Sequence, residues 1–435
     1  MKKRSLTYLV AATVLLISGC GVRDKEVEAN ASTSVVVDEK SVFEEVTEER
    51  SVAEVQETTE QPNLAEVQDS EVETGVIEAW DAPEASEAIE SEADTTIEIV
   101  MVGDMLMHER VMESGLQEDG SYDFSHLFGQ MGDKIASADL AMVNQETILG
   151  GTELGLTGYP SFNSPYEVGD AEAEAGFDVI LSATNHALDK GSKGVLRCVS
   201  FWEENYPEIS CVGIYDSKED WENDVFLYEK NDITIAILNY TYGTNGINPP
   251  SDMPYLVNYL SESKVKEDLE KADALADFVI VCPHWGTEYS LETDSQQKKW
   301  TNLFLENGVD LVIGTHPHVI EPIEWVRDEN GNEMLVYYSL GNFVNGTAGT
   351  GAGTANRMVG GMADVTLGRG EDGSVEIRSY DVIPLVCHIG EKENYTTYFL
   401  SDYTTELAEK NMILSQDSNF SLEYCKELVE KVWQK

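Results

Sequence analysis

Short runs of β-branched and apolar residues alternate with polar, helix-compatible stretches from residue 97 onward. Seven runs predict buried strands, at residues 97–102, 140–144, 179–183, 233–239, 278–282, 311–313 and 335–339. Four stretches between them predict crossover helices, at residues 170–175, 190–205, 261–275 and 295–307. Because strands and helices alternate, the sequence predicts an α/β sandwich with a largely buried sheet.

The pattern changes towards the C-terminus. Residues 359–386 predict two or more antiparallel strands, since a glycine-bounded turn at 370–373 divides a β-prone stretch. Residues 403–433 predict helix. We therefore expect a folded domain at 97–390 and a helical extension at 391–435.

The N-terminus has a different pattern. Three basic residues at positions 2–4 precede an apolar run at 9–17, and the segment ISGC then ends on Cys20. This resembles a lipoprotein signal peptide at 1–19, which implies cleavage before Cys20 and lipid on its thiol. The mature chain would then be anchored by lipid at the extracellular face of the bacterial cell membrane. An ordinary secretory signal is the alternative.

Residues 21–96 contain 23 Asp or Glu against four Lys or Arg, and almost no aromatic residues. Such a composition cannot bury enough apolar surface to offset its ordering entropy, so we expect a disordered acidic linker over 20–96. Solvation is its simplest role, and a dedicated binding role is the alternative. Residues 97–435 keep a net charge of about −37 out of −53, which argues against nucleic acid as a partner.

Beyond Cys20 the chain has five cysteines, an odd number without CxxC spacing. Neither a zinc finger nor a redox motif follows from them. Cys198 and Cys211 either pair outside the cell or remain buried as small hydrophobic residues, and we favour burial.

Polar motifs follow the predicted strands. They contain Asp104, Glu146, Asn185 with His186, His284, and His316 with His318. Because the carboxyl ends of neighbouring strands converge in one crevice of an open α/β sheet, we expect these side chains to meet. Carboxylate, amide and imidazole groups suit divalent metals, and no cysteine belongs to the set. The sequence therefore predicts two ions about 3.5–4 Å apart, with Glu146 as the bridging carboxylate.

Several of these residues also have a simpler interpretation. Asp104 could cap a helix, and Asn185 and Asp189 could be turn or cap residues. An isolated histidine after a strand is commonly a hydrogen-bonded loop residue. His126 and His388 match no motif, and we expect both to be structural.

Six segments strengthen the metal-site interpretation through their order along the chain: VGD at 102–104, NQE at 144–146, ATNHALDKG at 183–191, HWGTEY at 284–289, GTHPHVIEPIE at 314–324 and YSLGNF at 338–343. Together they resemble the CapA family of bacterial capsule-synthesis and poly-γ-glutamate biosynthesis proteins. That family is similar to the calcineurin-like metallophosphoesterases. The resemblance covers about residues 97–384 and implies a calcineurin-like metallophosphoesterase-type α/β sandwich.

The resemblance also implies which residues bind metal. Asn185, His284 and His316 would bind one ion, while Asp104 and His318 would bind the other. Two divalent ions are implied, and manganese, zinc or iron would suit these ligands.

The chain departs from the superfamily pattern at three places. Glu146 stands where a bridging Asp is expected. His108 comes two positions later than the histidine expected after the first Asp, so it is either a ligand or a loop residue. His186 corresponds to the general acid, and the acidic residue after it, Asp189, also comes two positions late.

The remaining motif residues are expected around the ligands. Trp285, Glu288 and Tyr289 would shape the pocket wall, with Glu288 orienting an imidazole. Ser339 and Asn342 would form either a backbone-rich lip beside the metals or a strand-ending turn.

We expect a lipid-anchored, metal-dependent hydrolase or transferase of capsule or poly-γ-glutamate synthesis, acting on an anionic polymer or a phosphoester. One alternative is a non-catalytic accessory lipoprotein that organises a capsule polymer synthase complex. Another is a general cell-surface phosphatase. An acidic domain would need bridging cations or a local basic patch to contact a polyanion.

Overall fold

The computed structural model of the protein describes residues 96–223, 225–390 and 395–434. The predicted signal peptide, the predicted lipidation of Cys20 and residues 20–95 of the predicted linker lie outside these residues. Thr96, the last residue of that predicted linker, belongs to the first strand. Within the described ranges, none of the helices combines the length and apolar character needed to cross a membrane.

The first sheet has eight strands, and its parallel half consists of neighbours β1, β2, β3 and β4. The antiparallel neighbours β12, β13 and β14 continue it on the other side of β1, and β11 pairs in parallel with the end of β1. The strands are β1 (Thr96–Leu106), β2 (Leu140–Gln145), β3 (Val179–Leu181), β4 (Ser210–Val212), β11 (Asn342–Asn345), β12 (Val359–Arg369), β13 (Val375–His388) and β14 (Thr396–Phe399).

The second sheet has six strands in the order β5-β6-β7-β8-β10-β9. Its four central strands are parallel, and an antiparallel strand closes each edge. The strands are β5 (Phe226–Lys230), β6 (Ile233–Thr241), β7 (Phe278–His284), β8 (Leu311–Ile313), β9 (Ile323–Arg327) and β10 (Glu333–Tyr337).

Helices pack on the outer faces of the sheets, apart from one short helix, Lys218–Glu222, which has no buried residue. They are α1 (Glu109–Gly115), α2 (Gly132–Ser137), α3 (Glu167–Ala175), α4 (Gly191–Asn205), α5 (Lys218–Glu222), α6 (Glu262–Leu275), α7 (Ser295–Glu306), α8 (Thr405–Lys410) and α9 (Leu422–Trp433). Helix α7 starts at a capping box, in which Asp294 accepts from the backbone and Gln297 bonds back to the cap residue.

Three apolar clusters define the layers. Alternate residues of β1 point in opposite directions: Ile99 and Met101 face the second sheet, whereas Val100 and Val102 face the outer helices. Helices α6 and α7 pack on the outer face of the second sheet. Since both faces of each sheet are covered, the predicted α/β sandwich is confirmed, with two sheets in its centre.

The observed elements extend the predicted ones where pairing is non-local. The first predicted strand ends at residue 102, but β1 continues to Leu106 because β2 and β11 both pair with its last residues. Asp104 therefore lies within a strand. The C-terminal region 395–434 contains α8 and α9 but also β14, which adds to the first sheet beside β13. Cys198 and Cys211 are free thiols, and Cys198 is buried.

Candidate metal centre

Glu146 lies at the centre of the candidate site, directly after β2. Its side chain is fully buried, and neither carboxylate oxygen has a hydrogen-bond partner among the described residues. Its Oε1 lies 3.5 Å from His318 Nε2, 3.9 Å from His284 Nε2 and 4.0 Å from His186 Nε2. Burial raises the pKa of Glu146 well above its usual range, although His318 opposes the shift. A buried carboxylate without donors fits a position beside a bound cation.

Glu146 belongs to a first ligand group with His284 and His316, whose potential ligand atoms all lie within 4.8 Å of one another. Asn185 adjoins this group, since its Oδ1 lies 3.0 Å from His284 Nε2. On the other side of the ring, His284 Nδ1 lies 3.0 Å from Thr315 Oγ1, which fixes the imidazole. His316 Nδ1 is buried and has no partner in the described part of the chain.

Both imidazoles of the first ligand group favour the neutral form. Burial lowers the pKa of His284 well below its usual range, and the neighbouring histidines lower it further. Burial also lowers the pKa of His316, with His318 and His186 adding to the shift. Neutral imidazole is the form that binds a metal.

Glu146 also belongs to a second ligand group with Asp104 and His318. Asp104 Oδ1 accepts a 2.9 Å hydrogen bond from Asn144 Nδ2. His318 Nδ1 lies 3.1 Å from both Asp104 Oδ2 and Asn342 Oδ1. Burial lowers the pKa of His318, but Glu146 and Asp104 outweigh it and raise the pKa to about 9. This group is thus internally hydrogen-bonded, unlike the first.

A third combination of potential ligands joins Glu288 with His316 and His318. Glu288 is exposed, whereas both histidines are buried. Its carboxylate therefore approaches the centre from the solvent side.

The two ring nitrogens of His186 face different carboxylates. Its Nε2 faces Glu146 and its Nδ1 faces Asp189. Its Nδ1 lies 2.7 Å from Asp189 Oδ2, which also accepts a 2.7 Å hydrogen bond from the Phe162 backbone. The turn before α4 closes with a hydrogen bond from Asp189 N to His186 O, which brings the late acid back to the ring. Asp189 thus contacts His186 despite its displacement along the chain.

His108 belongs to none of the three ligand groups found among the described residues. It instead lines a cavity next to His318, where its ring meets Phe162 edge-on at 5.2 Å. Burial lowers the pKa of His108 to about 4, with further contributions from His318 and His186. Of its two expected roles, the geometry favours the loop residue.

The structure separates the other expected pocket residues. Tyr289 lines the cavity beside His318, at a ring distance of 6.0 Å. Trp285 is buried in the outer core of the second sheet, and its indole donates to Tyr338 O at 3.0 Å. It supports the site from behind and does not line that cavity.

Ser339 lies in the connection between β10 and β11, and its hydroxyl donates to Val319 O at 2.8 Å. Asn342 contacts the centre directly, because its Oδ1 meets His318 Nδ1 and its Nδ2 donates to His318 O at 3.0 Å. His126 and His388 lie outside the ligand groups, near Ser114 Oγ at 3.0 Å and Tyr403 Oη at 2.9 Å, respectively.

The ligand loop after β8 is tightly constrained. A Cβ on Gly314 would lie 2.2 Å from Tyr338 O and 2.4 Å from Trp285 Nε1, so only glycine fits. His316 and His318 have positive φ angles of 101° and 59°. Such angles are costly for residues with a side chain, and strain of this kind accompanies functional sites.

Four contributing residues were missed from sequence. Asn144 and Thr315 hold ligands across strands, and Tyr242 places its ring 4.6 Å from His316. Arg357 lies against Tyr289 in the neighbouring cavity. Asn144 stands inside the NQE segment, which is a signal that could have identified it. Thr315 likewise stands inside the GTHPH segment, whereas Tyr242 and Arg357 follow from contacts that no local pattern encodes.

Solved structures that resemble this one include the NAD nucleotidase NadN of Haemophilus influenzae and a 5'-nucleotidase precursor of Thermus thermophilus. Each is 12% identical to the chain and is matched over 78% of it. The TM-scores are 0.43 and 0.40, over 59% and 58% of those structures. Because these similarities are low, the fold is assigned from the strand order and pairing of this chain.

Sequence relatives include the PGA biosynthesis protein CapA of Bacillus subtilis (strain 168), 32% identical over 179 residues, and the capsule biosynthesis protein CapA of Bacillus anthracis, 29% identical over 187 residues. These matches cover 39% and 40% of the chain, and 42% and 41% of the relatives. Residues 98–347 match the family described as bacterial capsule synthesis protein PGA_cap. This confirms the resemblance seen in the motifs. The chain belongs to the PGA_cap family of bacterial capsule synthesis proteins.

Proposed function

We propose that the chain carries out metal-dependent hydrolysis or group transfer on an anionic substrate during capsule polymer synthesis. The observation that supports this most strongly is Glu146, a buried carboxylate shared by two ligand groups with both oxygens unpartnered among the described residues. Glu172 is also fully buried with both oxygens unpartnered among the described residues, so burial alone does not mark a site. What distinguishes Glu146 is that potential ligand atoms of Asp104 and three histidines lie around its carboxylate.

Two divalent ions fit the donor set. The first would be held by His284 and His316 with the Asn185 amide oxygen, and the second by Asp104 and His318. Glu146 would serve both, since its oxygens adjoin both ligand groups. Manganese, zinc or iron would suit this mixture of nitrogen and oxygen donors. When bound, such ions supply positive charge that activates water and offsets charge on the reacting group.

His186 is the proposed general acid. Asp189 Oδ2 lies 2.7 Å from its Nδ1, which leaves Nε2 facing the centre beside Glu146. From that atom a proton would pass to the leaving oxygen of the substrate. His186 belongs to none of the ligand groups found in the described ranges, which leaves its ring available for proton transfer.

The biological setting is also part of the proposal. The sequence relatives of this chain are named for capsule or PGA biosynthesis, and the chain matches about two fifths of their length. We propose the same process here, with poly-γ-glutamate or a related anionic polymer as its product or substrate. Lipid on Cys20 would anchor the chain at the outer face of the cell membrane, next to a polymer synthase complex.

The decisive experiment is elemental analysis of the purified full-length chain, combined with hydrolysis assays on phosphomonoesters, phosphodiesters and capsule polymer. We expect about two metal ions per chain, and metal-dependent turnover. His316→Ala should lose metal and activity, whereas His126→Ala, a histidine replacement outside the site, should keep both.

A metal-free chain that is active would contradict the proposal. Capsule production in a deletion strain gives the second readout. If His316→Ala restores capsule as well as the unaltered chain, the protein acts as an accessory scaffold and the catalytic proposal is wrong.

A further inference from the structure

A cavity of about 300 Å³ adjoins the second ligand group. Its lining includes His108, Tyr289, His318, Thr347, Gly349 and Arg357. Since His318 borders both the cavity and the ligand group, a molecule in the cavity would lie next to the metal centre.

The guanidinium of Arg357 lies over the ring of Tyr289, with its carbon 3.6 Å from the ring centroid. One end, Nη1, donates a 2.7 Å hydrogen bond to Thr347 Oγ1. Nε is buried and has no partner, and the group forms no ion pair with a carboxylate among residues 96–223, 225–390 and 395–434. Because a guanidinium has five donors and keeps its charge, this leaves donors for a ligand.

The cavity wall is unusual for so acidic a chain. The chain has a net charge of −53, yet no carboxylate is among the lining residues of this cavity. Arg357 supplies a local positive charge there, of the kind that an acidic domain needs to contact an anion.

Backbone and side-chain contacts fix Arg357 relative to the metal centre. Its carbonyl oxygen accepts a 3.0 Å hydrogen bond from Asn342 Nδ2, and Asn342 Oδ1 lies 3.1 Å from His318 Nδ1. A Cβ on Gly349 would lie 2.8 Å from Arg357 Nη1, so glycine allows the loop to pack against the guanidinium. The cation is thus held beside the second ligand group by packing.

We propose that this cavity is an oxyanion subsite, in which Arg357 stacked on Tyr289 binds a carboxylate or phosphate group of the substrate next to the reacting group. Guanidinium forks match the geometry of both oxyanions. The inference rests on the proposed function in one respect only, namely that the bound oxyanion belongs to the substrate of the adjoining centre. The subsite would select substrates that carry a second anionic group.

The test measures binding of two probes, inorganic phosphate and glutarate, to the chelator-treated full-length chain by calorimetry. We expect at least one probe to bind, and Arg357→Gln to weaken it about tenfold or more, as for a lost charge-assisted hydrogen bond. The preferred probe identifies the source, phosphate ester or carboxylate. Binding of neither probe, or equal binding to Arg357→Gln and the unaltered chain, would overturn the proposal.

Arg327→Gln is the matched control, because it removes the same charge from an exposed arginine that pairs with Glu333. It should bind the probe normally, which separates the subsite from a change in overall charge. If Arg357→Gln fails to fold, Tyr289→Leu removes only the stacking partner. It should weaken binding by roughly two- to thirtyfold, and unchanged binding would count against the subsite.

Metal content separates this proposal from the function on which it rests. Arg357→Gln should hold as many ions as the unaltered chain, whereas Glu146→Gln should lose ions yet bind the probe in the chelated state. A chain without metal whose probe binding depends on Arg357 would defeat the proposed catalysis and keep the oxyanion subsite. A metal-loaded, active chain whose probe binding does not depend on Arg357 would support the proposed catalysis and contradict the oxyanion subsite.

Discussion

The two sheets contribute different chemistry to the candidate site. Segments at the ends of first-sheet strands carry the oxygen donors Asp104, Glu146 and Asn185. Segments at the ends of second-sheet strands carry the imidazoles of His284, His316 and His318, with exposed Glu288 as an added oxygen donor.

This division shows that neither sheet can form the centre alone. The 3.0 Å contact from Asn185 to His284 and the 3.1 Å contact from Asp104 to His318 both cross between the sheets. Ions bound there would link the two halves of the sandwich. Metal binding and packing of the sheets should therefore depend on each other.

The largest effect is expected when the carboxylate shared by both ligand groups is replaced. Glu146→Gln should lower the metal content to near zero and reduce turnover by several orders of magnitude. Glu172→Gln is the matched control, because Glu172 on α3 is also fully buried with both oxygens unpartnered in the described ranges. The Glu172→Gln variant should bind as much metal as the unaltered chain. Elemental analysis decides, and equal metal loss in both variants would show a general folding effect.

His186 is an imidazole supplied by the first sheet, so it is the exception to the division. If it is a proton donor, His186→Ala should lower kcat about 10²- to 10⁴-fold while the metal content stays unchanged. Asp189→Asn should also lower kcat, by a smaller factor than His186→Ala. Loss of metal from His186→Ala would instead make it a ligand, and the general-acid role would be wrong.

Metal at the proposed centre should stabilise the sandwich because it would contact residues of both sheets. At a free ion concentration one hundred times Kd, the free energy of unfolding should rise by about 2.7 kcal/mol for each ion bound. Urea titrations with manganese or zinc, and with chelator, measure this rise. His316→Ala should show no rise, and a full rise in that variant would place the ions elsewhere.

A second junction contains Glu321, and it offers a comparison outside the ligand groups. Glu321 follows β8, its Oε2 accepts from Gln297 of α7 at 2.5 Å, and its carbonyl accepts from Trp433 of α9 at 2.8 Å. Burial raises the pKa of Glu321 to about 8, although the bond from Gln297 opposes the shift. The folded state therefore holds this proton more tightly than the unfolded state.

It follows that this carboxyl lowers stability as the pH rises from about 4.5 towards 8, with no further loss above. Glu321→Gln should gain about 1–3 kcal/mol relative to the unaltered chain between pH 5 and pH 8. Urea unfolding at both pH values measures the difference. The exposed Glu333→Gln should show no such trend, and a flat difference for Glu321→Gln would contradict its assigned pKa.

The sequence predicts most of the central strands of both sheets because their apolar runs are local. Among the strands that it misses are β11 and β14, which are only four residues long and depend on distant partners. For the same reason the predicted end of β1 comes too early, since its last residues pair with β2 and with the distant β11. Non-local pairing is the information that the hydrophobic pattern lacks.

The site shows the same limit. Asp104, Glu146, His284, His316 and His318 meet as their motifs indicate, because each lies near or just beyond the carboxyl end of a strand in a converging set. Their supporting partners, and the placement of an arginine in the adjoining cavity, depend on loops that fold back over the sheet ends. Spacing along the chain gives no signal for these contacts.

The positive φ angles of His316 and His318 have a consequence for protein engineering. Glycine at either position would relieve backbone strain that costs about 1–3 kcal/mol per residue. In the absence of metal, selection for thermal stability alone would therefore favour variants that replace these two candidate ligands. In this loop the backbone conformation that costs stability also retains two candidate metal ligands. A library of variants made for stability should therefore keep both histidines constant while the surrounding residues vary.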